Sequence, residues 1–272
     1  MFISVFYHHV LIASEQTGKS IPEILGLIKD GGISGVEMDL YNFSDSIDHL
    51  ALIRSAGFSP VCVNAHYSME TDFDETQAQA HIDAAISCGA KIILVVPGYL
   101  SEAEGESLGR VIHSKDETYA FLDACPTAVK IAESLRKITQ MAAEKGITVT
   151  VEDFDNTASP LSGLYSLMWY LDKVPDLKCT FDTGNFITYN DDPFDAWNQL
   201  KDRVVHIHCK DRSDKPIAVG DGILPLTELL LMITDSGYDG ALAIEHYGAV
   251  NQLECMQHSA AFLSKAASEI RH

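Results

Sequence analysis

The alternation of β-rich runs with helix-forming stretches is the feature that most constrains the fold. Eight such runs occur, and each is followed by a helix-forming stretch. Over 272 residues the mean repeat is 272/8 = 34 residues, enough for one strand, one helix and their connections. The pattern predicts an α/β fold, a single (β/α)8 TIM barrel spanning 1–272. An open, doubly wound sheet is disfavoured, because Tyr7–Val10 follows the first run where a glycine-rich dinucleotide loop would stand.

The predicted strands and helices follow one another evenly except after the fourth strand. The predicted strands are Met1–Tyr7, Gly35–Leu40, Ser59–Ala65, Lys91–Val96, Ile147–Glu152, Lys178–Asp182, Arg203–Lys210 and Gly240–Glu245. The predicted helices are Ile21–Lys29, Ser46–Ala56, Asp72–Cys88, Thr118–Lys145, Leu161–Leu171, Phe194–Leu200, Leu226–Asp235 and Gln252–Ile270. Helix Thr118–Lys145 is expected to bend or begin near Pro126. The extra segment, about 98–117, is predicted to be an inserted loop over the carboxyl-terminal face, either a lid or an ordinary surface excursion.

The charge balance argues against two classes of partner. The chain has 19 Lys and Arg residues against 39 Asp and Glu residues, a formal net charge of −20 and a pI near 4.7. Nucleic-acid binding needs basic surface that neutralises phosphates, and anionic membrane surfaces also attract basic segments. We therefore expect no nucleic-acid and no membrane partner.

The cysteine pattern and the apolar runs indicate a compartment. Six cysteines are scattered without a CxxC pair, which is typical of free buried thiols in a reducing environment. No run approaches the roughly 18 apolar residues of a spanning helix, and Met1–Val10 lacks the basic and apolar regions of a signal peptide. The sequence therefore predicts a soluble cytoplasmic protein.

Four consecutive predicted strands end in residues that can bind a metal. Glu152, Asp182, His208 and Glu245 are separated by 30, 26 and 37 residues, each about one βα unit. The carboxyl ends of all barrel strands meet at one rim, where catalytic residues of such barrels lie. Three carboxylates and one imidazole suit one divalent cation, Mn2+ first, with Mg2+, Co2+ or Zn2+ as alternatives. The competing interpretation is that individual members are helix caps or ion-pair partners.

Other polar residues near the strand ends are candidates for substrate binding. His66 follows strand three, and Lys210 and Arg212 follow strand seven, where they could contact substrate hydroxyl, carboxylate or phosphate oxygens. A structural histidine and a solvated loop are the alternatives. Glu37 is expected either to line the rim or to orient another side chain. His206, two residues before His208, is expected to lie one layer deeper.

Four motifs in the second half of the chain resemble those of a known family. The segments are Thr150–Phe154, Phe181–Asn185, His206–Asp211 and Ala243–Gly248. They are similar to motifs of the sugar phosphate isomerase/epimerase family of xylose isomerase-like TIM barrels, which includes ketose 3-epimerases, hydroxypyruvate isomerases, inosose dehydratases, 3-dehydroshikimate dehydratases and, more remotely, endonuclease IV. The resemblance covers essentially the whole chain. It implies that Glu152, Asp182, His208 and Glu245 bind one divalent metal, often manganese. Members of the family are often dimers or tetramers, so a homo-oligomer is a possible state, which the sequence leaves open.

Departures from the family patterns narrow the expected activity. The endonuclease branch needs further zinc-binding residues where this chain has Val95–Pro97, Asn185 and Gly220–Gly222. A trinuclear zinc site is therefore not expected. Ketose epimerases commonly carry a substrate-binding His at the position of Asn185, so Asn185 is a candidate substrate-binding residue that departs from that branch.

The resemblance implies a metal-dependent isomerase or epimerase of a small sugar, polyol or hydroxy-carbonyl compound. In that family the glutamates corresponding to Glu152 and Glu245 exchange a carbon-bound proton through a metal-stabilised enediolate. A dehydratase on the same site is the main alternative. A non-catalytic sugar-binding barrel and an endonuclease IV-like nuclease are further alternatives. Whether the substrate is phosphorylated stays open at this stage.

Overall fold

The structure, a computed structural model that describes residues 1–269, contains a closed barrel of eight parallel strands. The strand order follows the sequence, and the last strand pairs with the first. The strands are β1 Phe2–Phe6, β2 Ile33–Asp39, β3 Ser59–His66, β4 Ile92–Val96, β5 Thr148–Val151, β6 Lys178–Asp182, β7 Val204–Cys209 and β8 Ala241–Ile244. The (β/α)8 barrel predicted from the alternation is confirmed.

Helices surround the barrel. Within residues 1–269 they are α1 Tyr7–Thr17, α2 Ile21–Asp30, α3 His49–Ser55, α4 Glu75–Cys88, α5 Glu102–Val111, α6 Lys115–Ala124, α7 Pro126–Ala143, α8 Gly163–Lys173, α9 Pro193–Leu200, α10 Leu226–Asp235 and α11 Gln252–Glu269. Two short 3-10 helices span Leu40–Phe43 and Phe186–Tyr189. None of the helices described combines the length and apolar character needed to cross a bilayer. The predicted end of the last helix, Ile270, lies outside the described residues.

The core lies within the barrel and between the barrel and its helices. Parallel strands that are covered on both faces need apolar side chains along their whole length, and β4 (IILVV) satisfies this, with its last four residues buried. Trp169 and Trp197 are both buried, as expected for packing residues, and Trp197 meets Phe181 edge to face at 5.2 Å. All six cysteines are free thiols.

The first strand is shorter than predicted. It ends at Phe6, and Tyr7, the predicted last residue of this strand, begins helix α1 instead, followed there by His8 and His9. The helix lacks the usual start signal, because its N-cap is Phe6, whose side chain makes no capping hydrogen bond. Its end is marked by Gly18, which adopts a left-handed conformation at φ 69°.

The segment 98–117 differs from the predicted inserted loop, because much of it is helical. Helix α5 begins with a capping box between Ser101 and Glu104, and α6 begins after Ser114, whose hydroxyl accepts from the backbone N–H of Glu117. Such Ser-x-x-Glu signals indicate helix starts that the prediction did not use. Within the described chain, this segment contributes no residue to the main cavity discussed below.

Two contacts attach this segment to the connection after β5. The Leu100 N–H donates to the Ala158 carbonyl at 2.8 Å. Gly105 packs so closely on the Thr157 carbonyl that a Cβ atom there would lie 2.8 Å from that oxygen. The next helix, α7, begins at Pro126, as the sequence predicted.

Buried His81 makes the stability of the fold dependent on pH. The Tyr67 hydroxyl donates to its Nδ1 at 2.9 Å, and its Nε2–H donates to the Val63 carbonyl at 2.9 Å. Burial lowers the pKa of His81 from 6.5 to about 4. The folded state therefore holds the neutral ring, and the stability that this contributes is complete above pH 6.5 and is lost as the pH falls towards 4.

We expect His81→Gln to unfold with a weaker pH dependence than the parent protein. Between pH 7 and pH 5 the His81 ring accounts for a loss of about 2 kcal/mol in the free energy of unfolding, and the variant lacks this term. Urea unfolding at both pH values measures the difference. His258→Gln, at an exposed position, serves as the matched control. An equal loss of stability in His81→Gln and in the parent would contradict this account.

Candidate metal centre

Strands β5 to β8 bring four metal-binding side chains together at the carboxyl-terminal rim. Asp182 is the last residue of β6 and is in register with His208 of β7, whereas Glu152 and Glu245 directly follow β5 and β8. One potential ligand atom from each of the four lies within 4.8 Å of those of the others, and all four residues are buried. The structure thus places the four predicted metal-binding residues around one point.

His208 connects the two glutamates. Its Nδ1 lies 2.7 Å from Glu152 Oε2 and 3.3 Å from Glu245 Oε2. Its Nε2–H donates to Glu37 Oε2 at 3.2 Å on the opposite side of the ring. Without a metal, the protonated ring also donates from Nδ1 to Glu152. A cation that replaced the Nδ1 proton would leave the other proton on Nε2, where Glu37 accepts it.

Asp182 presents one oxygen that the protein does not satisfy. Its Oδ1 accepts the backbone N–H groups of Gly184 and Asn185 at 2.7 and 2.9 Å. Its Oδ2 is buried and has no hydrogen-bond partner among the described residues. A buried carboxylate oxygen without a partner is costly, and a cation would satisfy it.

The electrostatics of the cluster favour a positive charge at its centre. Burial, together with the charge of Glu245, raises the pKa of Asp182 to about 8. Burial opposes ionisation of Glu245, but the Lys210 ammonium holds the pKa of that carboxyl well below its usual range. Burial also opposes protonation of His208, yet Glu152 and Glu37 raise its pKa above the usual range. The residues therefore fit one divalent cation held by Glu152, Asp182, His208 and Glu245.

A cavity of about 550 Å3 opens above the cluster. Of the residues predicted to bind substrate, four line it: His66, Asn185, Lys210 and Arg212. Glu152 and Glu245 line it as well, so the two glutamates face both the metal position and the cavity. This volume is within the range of about 300–1,000 Å3 found for small-molecule sites.

Lys210 and Arg212 are already paired within the protein, whereas Lys215, which also lines the cavity, has no ion pair among the described residues. The Lys210 Nζ lies 2.8 Å from Glu245 Oε1 and 3.4 Å from Asp155 Oδ2. Arg212 donates to Asp155 Oδ2, to the Gly184 carbonyl and to Thr188 Oγ1. These ion pairs offset the charges of Lys210 and Arg212, so within 1–269 Lys215 is the cation of the cavity wall that stays available to an anionic group.

Asn185 has a structural role in addition to its place at the cavity. Its Nδ2 donates to the Asp153 carbonyl at 2.9 Å, and its Oδ1 lies 3.4 Å from an Arg212 nitrogen. Its side chain therefore ties the connection after β6 to the connections after β5 and β7. The Asn185 amide can donate a hydrogen bond through Nδ2 and accept one through Oδ1 at the same time. A neutral histidine also has one donor and one acceptor, but they are its two ring nitrogens.

Glu37 differs from its predicted position among the substrate-binding residues. It is fully buried and does not line the cavity. Its Oε2 accepts from His206 Nε2 at 2.9 Å and from His208 Nε2 at 3.2 Å. The second interpretation considered from the sequence, that Glu37 orients another side chain, matches this geometry, and His206 lies beneath His208 as predicted.

Several residues of the site were not identified from the sequence. Asp155 pairs with both basic residues, and Asp153 is fully buried with no hydrogen-bond partner for either carboxylate oxygen within 1–269. Burial, reinforced by Asp182 and Glu152, raises the pKa of Asp153 well above its usual range. Tyr247, two residues after Glu245, forms part of the cavity wall. Proximity to the strand ends was the only available signal for these residues.

Asp211 holds the connection after β7 by accepting backbone N–H groups. Its carboxylate accepts from Arg212, Gly220, Gly222 and Leu224 at 2.8 to 3.2 Å. Asp211 thus caps the backbone of its own connection. A Cβ at residue 222 would collide with this carboxylate, which explains the glycine there.

Comparison with known proteins identifies relatives of several activities. An inosose dehydratase from Lacticaseibacillus casei is 24% identical over 217 residues, which cover 71% of this chain and 68% of the relative. The structure of an L-ribulose 3-epimerase has a TM-score of 0.73 and 14% identity, and the match covers 99% of this chain and 95% of that one. The IOLI protein, solved with a binding zinc atom, has a TM-score of 0.71 and 15% identity over 99% and 98% of the two chains.

The two structural matches are too distant in sequence to show more than a shared fold. The family evidence is broader, because a family model described as xylose isomerase-like TIM barrel matches residues 25–266. That range contains the four residues of the candidate metal centre. The chain belongs to the xylose isomerase-like TIM barrel family.

Proposed function

We propose that the protein is a divalent-metal-dependent isomerase or epimerase of a small sugar, polyol or hydroxy-carbonyl compound. The observation that carries the proposal is the placement of Glu152 and Glu245, which both approach His208 Nδ1 and both face the cavity. Two carboxylates that face one cavity can serve proton transfer between two carbon positions, or between two faces of one carbon. A zinc atom in a relative of the same fold supports a metal at this site.

The protein residues divide the reaction between them. Glu152 and Glu245 are the groups that take a proton from the carbon beside a carbonyl and return one to the neighbouring carbon or to the opposite face. The C–H electron pair moves into a C–C double bond, and the carbonyl oxygen becomes negative. When the proton returns to the same carbon, the original carbonyl forms again. When it returns to the neighbouring carbon, the hydroxyl proton of the first carbon passes to the negative oxygen and the first carbon becomes the carbonyl. A divalent cation, Mn2+ in our proposal, would supply Lewis-acid stabilisation of that oxygen when bound. Lys210 orients Glu245 through its Oε1 atom.

The substrate that we propose carries no phosphate. A phosphate is usually bound by several cations, and two of the three that line the cavity, Lys210 and Arg212, are paired with Glu245 and Asp155, which leaves Lys215. The remaining groups of the cavity, among them His66 and Asn185, suit hydroxyl and carbonyl oxygens. The chain's net charge of −20 also disfavours the approach of polyanions.

A dehydratase is the second candidate, because an inosose dehydratase is among the relatives. The same proton abstraction would start that reaction. A hydroxyl group on the adjacent carbon would then leave with a proton as water, in place of proton return to carbon. The two candidates therefore differ in the fate of the carbanion and share the residues proposed here.

Incubation of the protein with Mn2+ and a panel of unphosphorylated ketoses and inososes in D2O tests both candidates. For an isomerase or epimerase, we expect one carbon-bound proton to be replaced by deuterium, with a mass gain of about one unit. For a dehydratase, the product lacks the mass of water. Retention of every C–H bond across the panel, together with cleavage of DNA at abasic sites, would contradict the proposal and favour the nuclease alternative.

A further inference from the structure

A second cavity, of about 770 Å3, adjoins the cavity above the metal centre. It lies over β1 to β3, whereas the four metal-binding residues come from β5 to β8. Asn64, His66 and Tyr247 line both cavities, so the two share a wall and open on the same face of the barrel. Either volume alone is within the range that accommodates a complete small molecule.

Aromatic side chains form much of the second cavity. Tyr41, Phe43 and Tyr247 line it together with His8. Tyr41 and Tyr247 are 51% and 41% exposed, which is high for large apolar side chains. Exposed aromatic rings in a cavity next to a reaction site offer flat surfaces on which another ring can pack.

Tyr247 is held in place between the two cavities. Its ring packs edge to face against Phe6 at 5.3 Å and His9 at 4.8 Å, and lies 5.3 Å from the His8 ring. The 3-10 helix that carries Tyr41 is likewise fixed, because the Asp39 N–H donates to Asn42 Oδ1 at its start. The aromatic surfaces are therefore preorganised before any ligand binds.

Asn64 supplies an unused hydrogen-bond donor where the cavities meet. Asn64 is 5% exposed, and its Nδ2 atom has no hydrogen-bond partner among the described residues. A buried amide group without a partner is costly to the protein, and an acceptor oxygen on a ligand would remove that cost. This donor indicates an oxygen atom at the junction between the two parts of a ligand.

The charges around the second cavity indicate a neutral occupant. Among the described residues that line it, none is Lys or Arg, and Asp39 is the acidic one. Phosphate and carboxylate groups are bound by guanidinium or ammonium groups, which are absent from this wall. Gln77 and Ser44 add neutral hydrogen-bonding groups.

We infer that the substrate has two parts, a reacting sugar in the cavity above the metal centre and a neutral ring, attached through an oxygen, in the second cavity. This inference rests on the proposed function for the identity of the reacting part. The substrate class is thus a glycoside with a neutral cyclic aglycone whose sugar ring bears a ketone, because the glycosidic bond locks the anomeric carbon and the proposed proton transfer needs a carbonyl beside the reacting C–H bond. Tyr41, Phe43 and Tyr247 contact the ring, and Asn64 donates to the linking oxygen.

Binding measurements with simple probes test the second cavity. We expect phenyl β-D-glucopyranoside to bind more tightly than D-glucose, with the strongest NMR saturation transfer on the phenyl protons. Tyr41→Ala should weaken phenyl glucoside binding by about tenfold, since one ring stack is removed. Tyr99→Ala, which removes a 39% exposed tyrosine outside both cavities, is the matched control and should leave the affinity unchanged.

The Asn64 contact has its own test. In the parent protein, phenyl β-D-glucopyranoside should bind about fivefold more tightly than its 1-thio analogue, because sulfur is the weaker acceptor. In Asn64→Leu this preference should disappear. Equal affinities of the parent for the two probes would overturn the assignment of Asn64.

The outcomes distinguish a failure of the inference about the second cavity from a failure of the proposed function. If Tyr41→Ala and Tyr99→Ala bind phenyl glucoside as the parent does, the inference is wrong, even where free sugars exchange deuterium. If Tyr41→Ala alone loses affinity while no sugar exchanges deuterium, the second cavity is supported and the proposed function fails. Binding is measured with and without Mn2+, so the result does not depend on turnover.

Discussion

Glu152→Gln and Glu245→Gln are each expected to lose about 10²- to 10⁴-fold in the rate of deuterium exchange into substrate. Glutamine keeps the size of the side chain and an oxygen that can coordinate a cation, but its amide cannot accept the carbon-bound proton. The loss should appear mainly in kcat, with a smaller change in KM, because the missing group acts during the chemical step. Exchange followed by NMR in D2O with saturating Mn2+ measures it.

Glu102→Gln is the matched control for these variants, because Glu102 is exposed on α5 and does not line the cavity. It should exchange at the parent rate. The double variant Glu152→Gln/Glu245→Gln should be little worse than the single variants, since residues that act as one unit are not additive. Parent-like exchange in either single variant would remove that glutamate from the reaction.

Glu37→Gln is expected to weaken Mn2+ binding by about 10- to 100-fold, although Glu37 lies outside the cluster that holds the metal. Its carboxylate accepts the Nε2–H of His208, which keeps that proton on Nε2 when a cation takes the place of the proton on Nδ1. The amide of glutamine can donate to Nε2 instead, which would move the proton to Nδ1. Isothermal titration with Mn2+ gives the affinity, and the 15N shifts of the His208 ring report the tautomer.

The tautomer distinguishes this effect from general damage to the fold. Glu37 is fully buried, so Glu37→Gln also lowers the stability, which urea unfolding measures separately. Glu37→Asp keeps an acceptor at a shorter reach, and we expect it to recover part of the affinity. Unchanged Mn2+ affinity in Glu37→Gln would show that the hydrogen bond does not control the metal-binding atom.

The metal-binding cluster was predictable because topology alone determines where strand ends lie. Glu152, Asp182, His208 and Glu245 each fall at the end of a β-rich run, and a barrel brings those ends to one rim regardless of packing detail. The complete burial of Glu37 beneath the rim was less predictable from the sequence. Its position on β2 was clear, but only the register with β1 and the inward-facing histidines of β7 bury it.

The connections between strands and helices were harder to predict. Helix α1 has no capping side chain at its start, so the prediction extended β1 through Tyr7. The capping signals at Ser101 and Ser114 lay within a segment interpreted as a loop because of its length. The aromatic wall of the second cavity combines Tyr41 and Tyr247, which are far apart in sequence and close only in the folded barrel.

The central claim is that one divalent cation is held by Glu152, Asp182, His208 and Glu245. Anomalous diffraction from crystals grown with MnCl2, collected on both sides of the manganese absorption edge, tests it most directly. We predict one strong manganese peak within about 2.0–2.6 Å of a carboxylate oxygen of each acidic residue and of His208 Nδ1. A manganese peak elsewhere, or no peak among these four side chains, would contradict the account.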